Sequence, residues 1–312
     1  MSRCSLVTGG AGFIGSHIAE ALLARGERVR IFDNLSTGRT SNLDVLHGEV
    51  EVVRADLRDV EAVRAAMEDV DVVFHQAAIA SVPESLANPA TTLEVNIVGT
   101  QNVLLAARDQ GVRRVVFASS CALYGERPEL PSHEALLPNP LSPYAVHKLT
   151  GEGLCSVFTR TFGLETVTLR YFNVFGPRQD PASDYAAAIP KLTRALARGA
   201  SPVVFGDGEQ TRDFIFVGNV AQANLLAAEA PTAVGQVINI GSGESISING
   251  MLHVAADLLG VSLHPEYREA RAGDVLHSRA DISRARALLG YEPSVGFRDG
   301  LERTIESLMA QS

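Results

Sequence analysis

Tyr144 and Lys148 stand four residues apart, and Ser120 lies upstream in a segment that follows a β-branched run. Residues at this spacing share one face of a helix, so the phenol and the ammonium can point into one cleft. A phenol ionises near ~10 and is a poor base at neutral pH unless a fixed cation stabilises the phenolate. Lys148 can be that cation. An exposed helix face would carry the same pair, so its meaning depends on what surrounds it.

Upstream, Gly9, Gly10, Gly12 and Gly15 follow an apolar run at residues 5–8 and open a helical pattern at 13–25. Read from Gly10 this is GxGxxG, and from Gly9 it is GxxGxxG. Glycine permits the tight turn, lets backbone N–H groups approach a pyrophosphate, and allows the helix to pack close to a sheet. Asp33 ends the second strand pattern, where a carboxylate accepts hydrogen bonds from both ribose hydroxyls of an adenosine and repels a 2′-phosphate. The expected cofactor is therefore NAD and not NADP. Asn34 and Ser36 follow Asp33, so a turn cap is the competing reading. After the third strand Asp56 and Leu57 could hold an adenine ring. After the fourth, residues 75–80, Ala77 and Ala78 among them, offer small side chains against which a cofactor could lie. His75 reads as a structural histidine at a strand end.

These residues need a scaffold, and the sequence supplies one. Short β-branched runs at 5–8, 28–32, 50–53, 70–74, 114–118 and 165–170 alternate with helical patterns at 13–25, 60–68, 91–110 and 143–162. Strand and helix repeated in this order predict an α/β fold, a doubly wound parallel sheet of Rossmann type with helices on both faces. Beyond Arg170 the texture changes. Pro177, Pro181, Pro190 and Pro202 break the chain into short elements, followed by helical patterns at 217–228, 248–259 and 296–309. The expected division is a NAD-binding Rossmann domain over 1–170, with 213–241 returning to it, and a smaller C-terminal α/β substrate-binding domain over 171–312. The smaller lobe should close over the carboxyl edge of the sheet, where such folds bind ligands.

Composition excludes several classes. With 46% hydrophobic and 20% charged residues in 312, the chain can bury a large core. No apolar run approaches the ~18 residues of a membrane span, and the N-terminus runs straight into a strand pattern without a signal peptide. A cytoplasmic protein with no membrane partner is expected. Cys4, Cys121 and Cys155 form neither CxxC nor a ligand cluster, so no metal and no disulfide are expected. A net charge of -9 argues against a nucleic-acid surface. An anionic small ligand would need locally placed arginines.

Taken together, the motifs resemble the extended short-chain dehydrogenase/reductase family, and within it the nucleotide-sugar 4-epimerases of the UDP-glucose (UDP-galactose) 4-epimerase type. The likeness runs from the glycine loop with Phe13 and Ile14 through Asp33-Asn34-Leu35-Ser36, Asp56-Leu57-Arg58, His75-Gln76-Ala77-Ala78 and Asn96 to Ser119-Ser120 and Tyr124-Gly125. It continues through Tyr144, Lys148, Arg170-Tyr171-Phe172-Asn173, Arg212-Asp213-Phe214, Asn239-Ile240-Gly241 and Arg271 with Gly273-Asp274. The resemblance implies that Tyr144 removes the sugar 4-hydroxyl proton, that Lys148 binds the nicotinamide ribose and lowers the Tyr144 pKa, and that Ser120 bridges the reacting hydroxyl. It implies NAD contacts at Gly9, Gly12, Phe13, Ile14, Gly15, Asp33, Asn34, Asp56, Leu57, Ala77, Ala78 and Asn96. On the UDP-sugar side it implies Arg212 and Arg271 for the diphosphate, Asn173 for phosphate or sugar, and Asp274 for the nucleoside ribose. Helices at 91–110 and 143–162 pair across a homodimer in such proteins.

Relatives that eliminate water or carbon dioxide carry carboxyl side chains just before the Tyr-Gly that follows the fifth strand; here Cys121 and Ala122 occupy those positions. Without an acid or second base there, a keto intermediate has no route but reversal, which favours epimerisation. A UDP-glucuronate 4-epimerase passes the same filter. A net NAD-dependent oxidoreductase, a dehydratase and a non-catalytic NAD-binding regulator are the further alternatives. Ser278 aligns with a position that is bulky in members restricted to plain hexoses and small in those accepting N-acetyl sugars. The expectation is interconversion of UDP-glucose and UDP-galactose with tolerance of UDP-GlcNAc and UDP-GalNAc.

Overall fold

A computed structural model of the chain describes residues 3–126, 129–180, 188–270 and 275–310. Seven parallel strands form the central sheet: β1 (Cys4–Thr8), β2 (Arg28–Phe32), β3 (Val50–Val53), β4 (Val72–His75), β5 (Arg114–Ser120), β6 (Glu165–Tyr171) and β7 (Val237–Ile240). Their spatial order is β7-β6-β5-β4-β1-β2-β3. The expected doubly wound sheet is present, with β4 lying two residues later at its start than the apolar run suggested and β5 running on to Ser120 itself. Strand order reverses beside β1, and at such a switch point the loops leaving the carboxyl ends of neighbouring strands part to form a crevice. The glycine loop after β1, residues 76–80 after β4, and Ser120 at the end of β5 all lie on that edge.

Alternation along the strands fills two cores. Leu6, Val73, Val115 and Phe117 face one side, covered by helices Val60–Ala66, Gly99–Asp109 and Pro143–Phe162. Val7, Phe74, Val116 and Ala118 face the other, covered by Phe13–Ala24, Val217–Glu229 and Ser283–Leu289. Helices cover both faces of the inner strands, which explains the near-continuous apolar runs of β4 and β5, whereas the edge strand β3, Val-Glu-Val-Val, is partly exposed. A third core belongs to the later part of the chain, where Phe175, Phe214, Phe216 and Phe297 pack on one another and on Leu192, Met251, Leu252 and Leu301. Short strand pairs border it: Asn173–Phe175 with Phe214–Phe216 and Val203–Phe205 with Glu266–Arg268, both parallel, and Thr211–Arg212 with Ile246–Ser247, antiparallel.

Several elements differ from the sequence pattern. The helix expected over 91–110 is three pieces, Pro89–Leu93, a π-helical turn Glu94–Val98, and Gly99–Asp109. Pro190 does not break its segment but stands at the start of helix Ala188–Ala197, where first-turn N–H groups lack helical partners in any case. A short helix, Val82–Ala87, was not anticipated; Ser81 caps it by accepting from the Glu84 N–H, and Pro83 sits in its first turn.

Helix Pro143–Phe162 begins where Ser142 accepts from the Ala145 N–H and ends at Gly163, whose φ of 73° is left-handed. Midway, Gly151 lets it settle onto β5: a Cβ there would lie 2.4 Å from Phe117 Cζ. Gly153, on the same helix, meets nothing within 4 Å. Adding a methyl in a packed core costs ~1–3 kcal/mol, while Gly→Ala in a helix gains up to ~1 kcal/mol. Gly151→Ala should therefore lose ~1–2 kcal/mol in urea unfolding, and Gly153→Ala should gain ~0.5–1 kcal/mol. Equal effects at the two sites would contradict the packing described.

Candidate active site

The glycine loop folds back on itself. Gly9 has φ +69°, its carbonyl accepts from the Gly12 N–H at 3.0 Å, and a Cβ on Gly15 would stand 2.2 Å from that same carbonyl oxygen. A Cβ on Gly9 would meet the Ala77 backbone at 2.8 Å, so this loop and the segment after β4 touch through bare backbone. Gly12 is the N-cap of helix Phe13–Ala24 and offers no side-chain cap, leaving the first-turn N–H groups of Phe13 and Ile14 for an anionic ligand.

Asp33 is buried and makes the turn-cap contact that competes with ribose binding for it. Its Oδ2 accepts from the Ala11 N–H of the glycine loop at 3.0 Å, and its Oδ1 accepts from the Leu35 N–H at 2.8 Å. A carboxylate oxygen can accept more than one bond, so each retains capacity for a ribose hydroxyl. Asn34 donates to Asp56 at 2.8 Å, and Arg58 forks onto the same carboxylate, holding it well below the usual carboxylate range. Leu57 is buried beneath Gly99, where a Cβ would be 2.8 Å away, so its side chain belongs to the core. The glycine cradle, the Asp33 carboxylate and the Asn34–Asp56 pair together fit a dinucleotide carrying a free 2′-hydroxyl.

His75 lies between two threonines, Nδ1 at 2.7 Å from Thr8 Oγ1 and Nε2 at 3.0 Å from Thr100 Oγ1. Thr100 gives its own proton to the Asn96 carbonyl, so His75 must donate from Nε2 and accept at Nδ1. Burial and the nearby Lys148 charge hold its pKa down at about 3, and the ring stays neutral. Asn96, in the π-helical turn, grips the Ile79 backbone through both halves of its carboxamide, at 2.8 and 3.0 Å. Through this grip Asn96 holds the loop that also carries Ala77 and Ala78.

Lys148 and Tyr144 are both buried and project from the same helix over the end of β5. Lys148 Nζ donates to the Ala118 carbonyl at 2.8 Å and lies 5.2 Å from the Phe117 ring centroid and 5.8 Å from that of Tyr144. Burial presses its pKa down to about 8. The Tyr144 backbone N–H is received by Ser85 Oγ at 3.2 Å, so the unanticipated Val82–Ala87 helix steadies the first turn. Ser120 stands two residues beyond Ala118; its Oγ caps the 3₁₀ turn Cys121–Tyr124 by accepting from the Ala122 N–H at 3.2 Å. Burial pushes the Cys121 thiol up to about 12, which removes it as an acid or base near neutrality.

On the other side of the crevice, Asn173, Arg212 and Ser278 converge. Asn173 Nδ2 lies 3.3 Å from both the Ser278 Oγ and the Asp213 carbonyl oxygen. Arg212 donates to the carbonyls of Thr211 and Leu276, at 2.9 and 3.1 Å. Arg271 and Asp274 lie outside the described residues. Asp213 had no assigned role, yet it is the hub: its fully buried carboxylate accepts from the N–H groups of Ser242, Gly243 and Ala280 and from the Ser242 hydroxyl. Only its place between Arg212 and Phe214 in the matching motif marked it in the sequence.

The profile of the NAD-dependent epimerase/dehydratase family matches residues 5–241. The chain is 39% identical to a UDP-glucose 4-epimerase of Mycolicibacterium smegmatis, with 97% of each chain covered. Among solved structures it is similar to a UDP-N-acetylglucosamine 4-epimerase from Methanobrevibacter ruminantium in complex with UDP-N-acetylmuramic acid. That match has 41% identity and a TM-score of 0.95 over 100% of this chain and 99% of the other. It is also similar to the Thermus thermophilus UDP-glucose 4-epimerase in complex with NAD, at 39% identity and a TM-score of 0.90, covering 99% and 100% of the two chains.

Burial of Lys148 makes the stability of the protein depend on pH. The unfolded side chain ionises near ~10.4, the folded one at about 8, so between these values the unfolded chain holds a proton that the folded chain has lost. Stability gains from this group as pH rises through that window, and the full penalty is present below it. Lys148→Met in the ligand-free protein should be more stable than wild type at pH 7, with the difference shrinking toward pH 10 in urea titrations. A difference that does not change with pH would contradict the burial argument.

Proposed function

The chain belongs to the NAD-dependent epimerase/dehydratase family and uses NAD as do the UDP-sugar epimerases within it, and from that premise we propose that it interconverts UDP-glucose and UDP-galactose, and UDP-GlcNAc and UDP-GalNAc, at C4. Bound NAD would supply the hydride acceptor and donor for C4 of the sugar. The residues of the chain manage the proton. Tyr144, as phenolate beside the Lys148 ammonium, takes the 4-hydroxyl proton as C4 is oxidised to a carbonyl, and returns it after the 4-keto sugar has turned over and been reduced on its other face. Ser120 donates to or accepts from the same oxygen as its charge changes. Lys148 would hold the nicotinamide ribose and stabilise the phenolate electrostatically.

One observation carries the reading. Tyr144 and Lys148 share one helix face over the strand that ends at Ser120, and the first two positions of the turn that follows hold Cys121, with its thiol pushed up to about 12, and Ala122. Those two positions supply no carboxyl for elimination or decarboxylation. Arg212, with Arg271 and Asp274, would hold the diphosphate and ribose of UDP; a guanidinium fork suits phosphate oxygens. A small hydroxyl at Ser278, beside Asn173, leaves room for an acetamido group. On this reading residues 1–170 with 213–241 bind the cofactor and 171–312 the sugar nucleotide, and the protein is a cytoplasmic homodimer. Support for the dimer comes from apolar Leu93, Val98, Val146, Val157 and Phe162, which stand exposed on the two helical segments expected to pair.

Purified protein should carry NAD and equilibrate UDP-glucose with UDP-galactose in NMR without added cofactor; stoichiometric consumption of added NAD would favour a net oxidoreductase, and turnover of UDP-glucuronate alone the uronate epimerase. Tyr144→Phe should lower kcat by ~10²–10⁴-fold with NAD still bound. Ser278→Tyr should lower kcat/KM for the N-acetyl sugars by at least ~10-fold and spare the plain hexoses. Unchanged N-acetyl turnover would sink the role given to Ser278.

A further inference from the structure

Beneath the site runs a buried polar chain that takes no part in the steps above. Glu152 stands one helical turn beyond Lys148. Its carboxylate receives the Arg170 guanidinium through both oxygens, at 2.9 and 2.8 Å, and the Ser119 hydroxyl at 2.5 Å. Arg170 donates onward to the Tyr124 phenol at 2.9 Å, and the Tyr124 proton goes to Asn239 Oδ1 at 2.7 Å. Asn239 Nδ2 donates to the carbonyls of Ser132 and Asp281, at 2.9 and 3.3 Å. Ser132 in turn brackets the segment after Ser278, its N–H bonding the Arg279 carbonyl at 2.8 Å and its carbonyl receiving the Asp281 N–H at 2.9 Å.

Through Ser119, Arg170 and Asn239 on β5, β6 and β7, the chain joins three elements of the site. One end is the helix of Tyr144 and Lys148, the middle is the last residue of the turn capped by Ser120, and the far end is the extended segment that continues from Ser278. A buried ion pair such as Glu152–Arg170, with side chains 6% and 5% exposed, is a poor source of stability, because desolvation offsets its attraction. What a fully satisfied polar chain supplies is one fixed geometry. Reacting groups need that: displacements of ~1 Å cost about a hundredfold in rate. Tyr124 is the link at which the three elements join, and burial raises its pKa above the ordinary phenol value, so it keeps its proton and the direction of its bonds.

We infer that Tyr124 is a positioning residue, whose hydroxyl fixes the turn that aims Ser120 by joining the Glu152–Arg170 pair to the segment that carries Ser278. The kinetic part of this inference rests on the epimerase reading; the structural part does not. Tyr124→Phe removes the hydroxyl and keeps the ring, with its 5.0 Å contact to the Arg170 guanidinium.

In Tyr124→Phe, amide hydrogen exchange at Ala122 and Asp281 should quicken by about fivefold or more. Its kcat should fall about tenfold, with NAD content and the UDP-sugar KM within about twofold of wild type. In a Ser120→Ala background the same substitution should cost less than about twofold in kcat, because the hydroxyl it aims is gone. Asn239→Ala, which leaves the phenol on Arg170 and cuts the far link, should quicken exchange at Asp281 by a similar factor, and provides the test if Tyr124→Phe does not fold. Equal losses of kcat in both backgrounds, or unchanged exchange at Asp281 in either variant, would overturn the inference. A wild-type protein that turns over no UDP-sugar would overturn the epimerase reading instead, and the exchange measurement would still decide whether Tyr124 makes the link.

Discussion

The site depends on one buried positive charge. Lys148 has its ammonium enclosed between the Phe117 ring, the Tyr144 ring and the Ala118 carbonyl, with 6% of the residue exposed. An ammonium in such surroundings has lost much of its hydration, and burial brings its pKa close to working pH. That cost is the source of its use. A charge short of solvent acts strongly on whatever lies beside it, and a phenolate is what it favours most. The neighbouring groups conform to it: His75 is neutral between Thr8 and Thr100, and burial together with the Lys148 charge also lowers the pKa of His147.

Holding that charge in place explains much of the surrounding architecture. The helix can come close enough to β5 because position 151 is glycine and Phe117 fills the space beneath it. Four residues apart on the same helix, Lys148 and Glu152 bond two consecutive residues of β5, Ala118 through its carbonyl and Ser119 through its hydroxyl, just before Ser120. The register between helix and strand is therefore fixed by polar contacts as well as by packing. On the cofactor side the glycine loop is pinned in the same manner, with Asp33 drawn onto the Ala11 N–H and Gly9 pressed against Ala77.

Much of this was legible in the sequence, for physical reasons. Short β-branched and apolar runs alternating with helical patterns place six of the seven sheet strands within two residues at either end, while β7 lies in a stretch whose short runs carry no period. Helix Pro143–Phe162 announced itself through Ser142, Pro143 and Gly163. Helix–sheet spacing cannot reveal a π-helical turn, so Glu94–Val98 was read as ordinary helix, and the six-residue Val82–Ala87 helix is too short for periodicity to show. The Tyr144 and Lys148 spacing was enough to predict a shared face. What no local pattern could show is the set of long-range polar contacts: Asp213 reaching two backbone segments, at Ser242–Gly243 and Ala280, or Arg170 meeting Glu152 and Tyr124 across the sheet edge. Such contacts depend on which strands become neighbours, and a single sequence does not display that.

On the proposed reading a hydride leaves C4 and returns to it inside one enclosed site, with Tyr144 and Lys148 handling the proton. Conversion of UDP-glucose carrying deuterium at C4, followed in ordinary water without added NAD, tests it most directly. UDP-galactose should retain the deuterium at C4 through many turnovers, while the protein's bound NAD should gain none from solvent. Loss of the label to water, or epimerisation with proton exchange at another ring carbon, would contradict it.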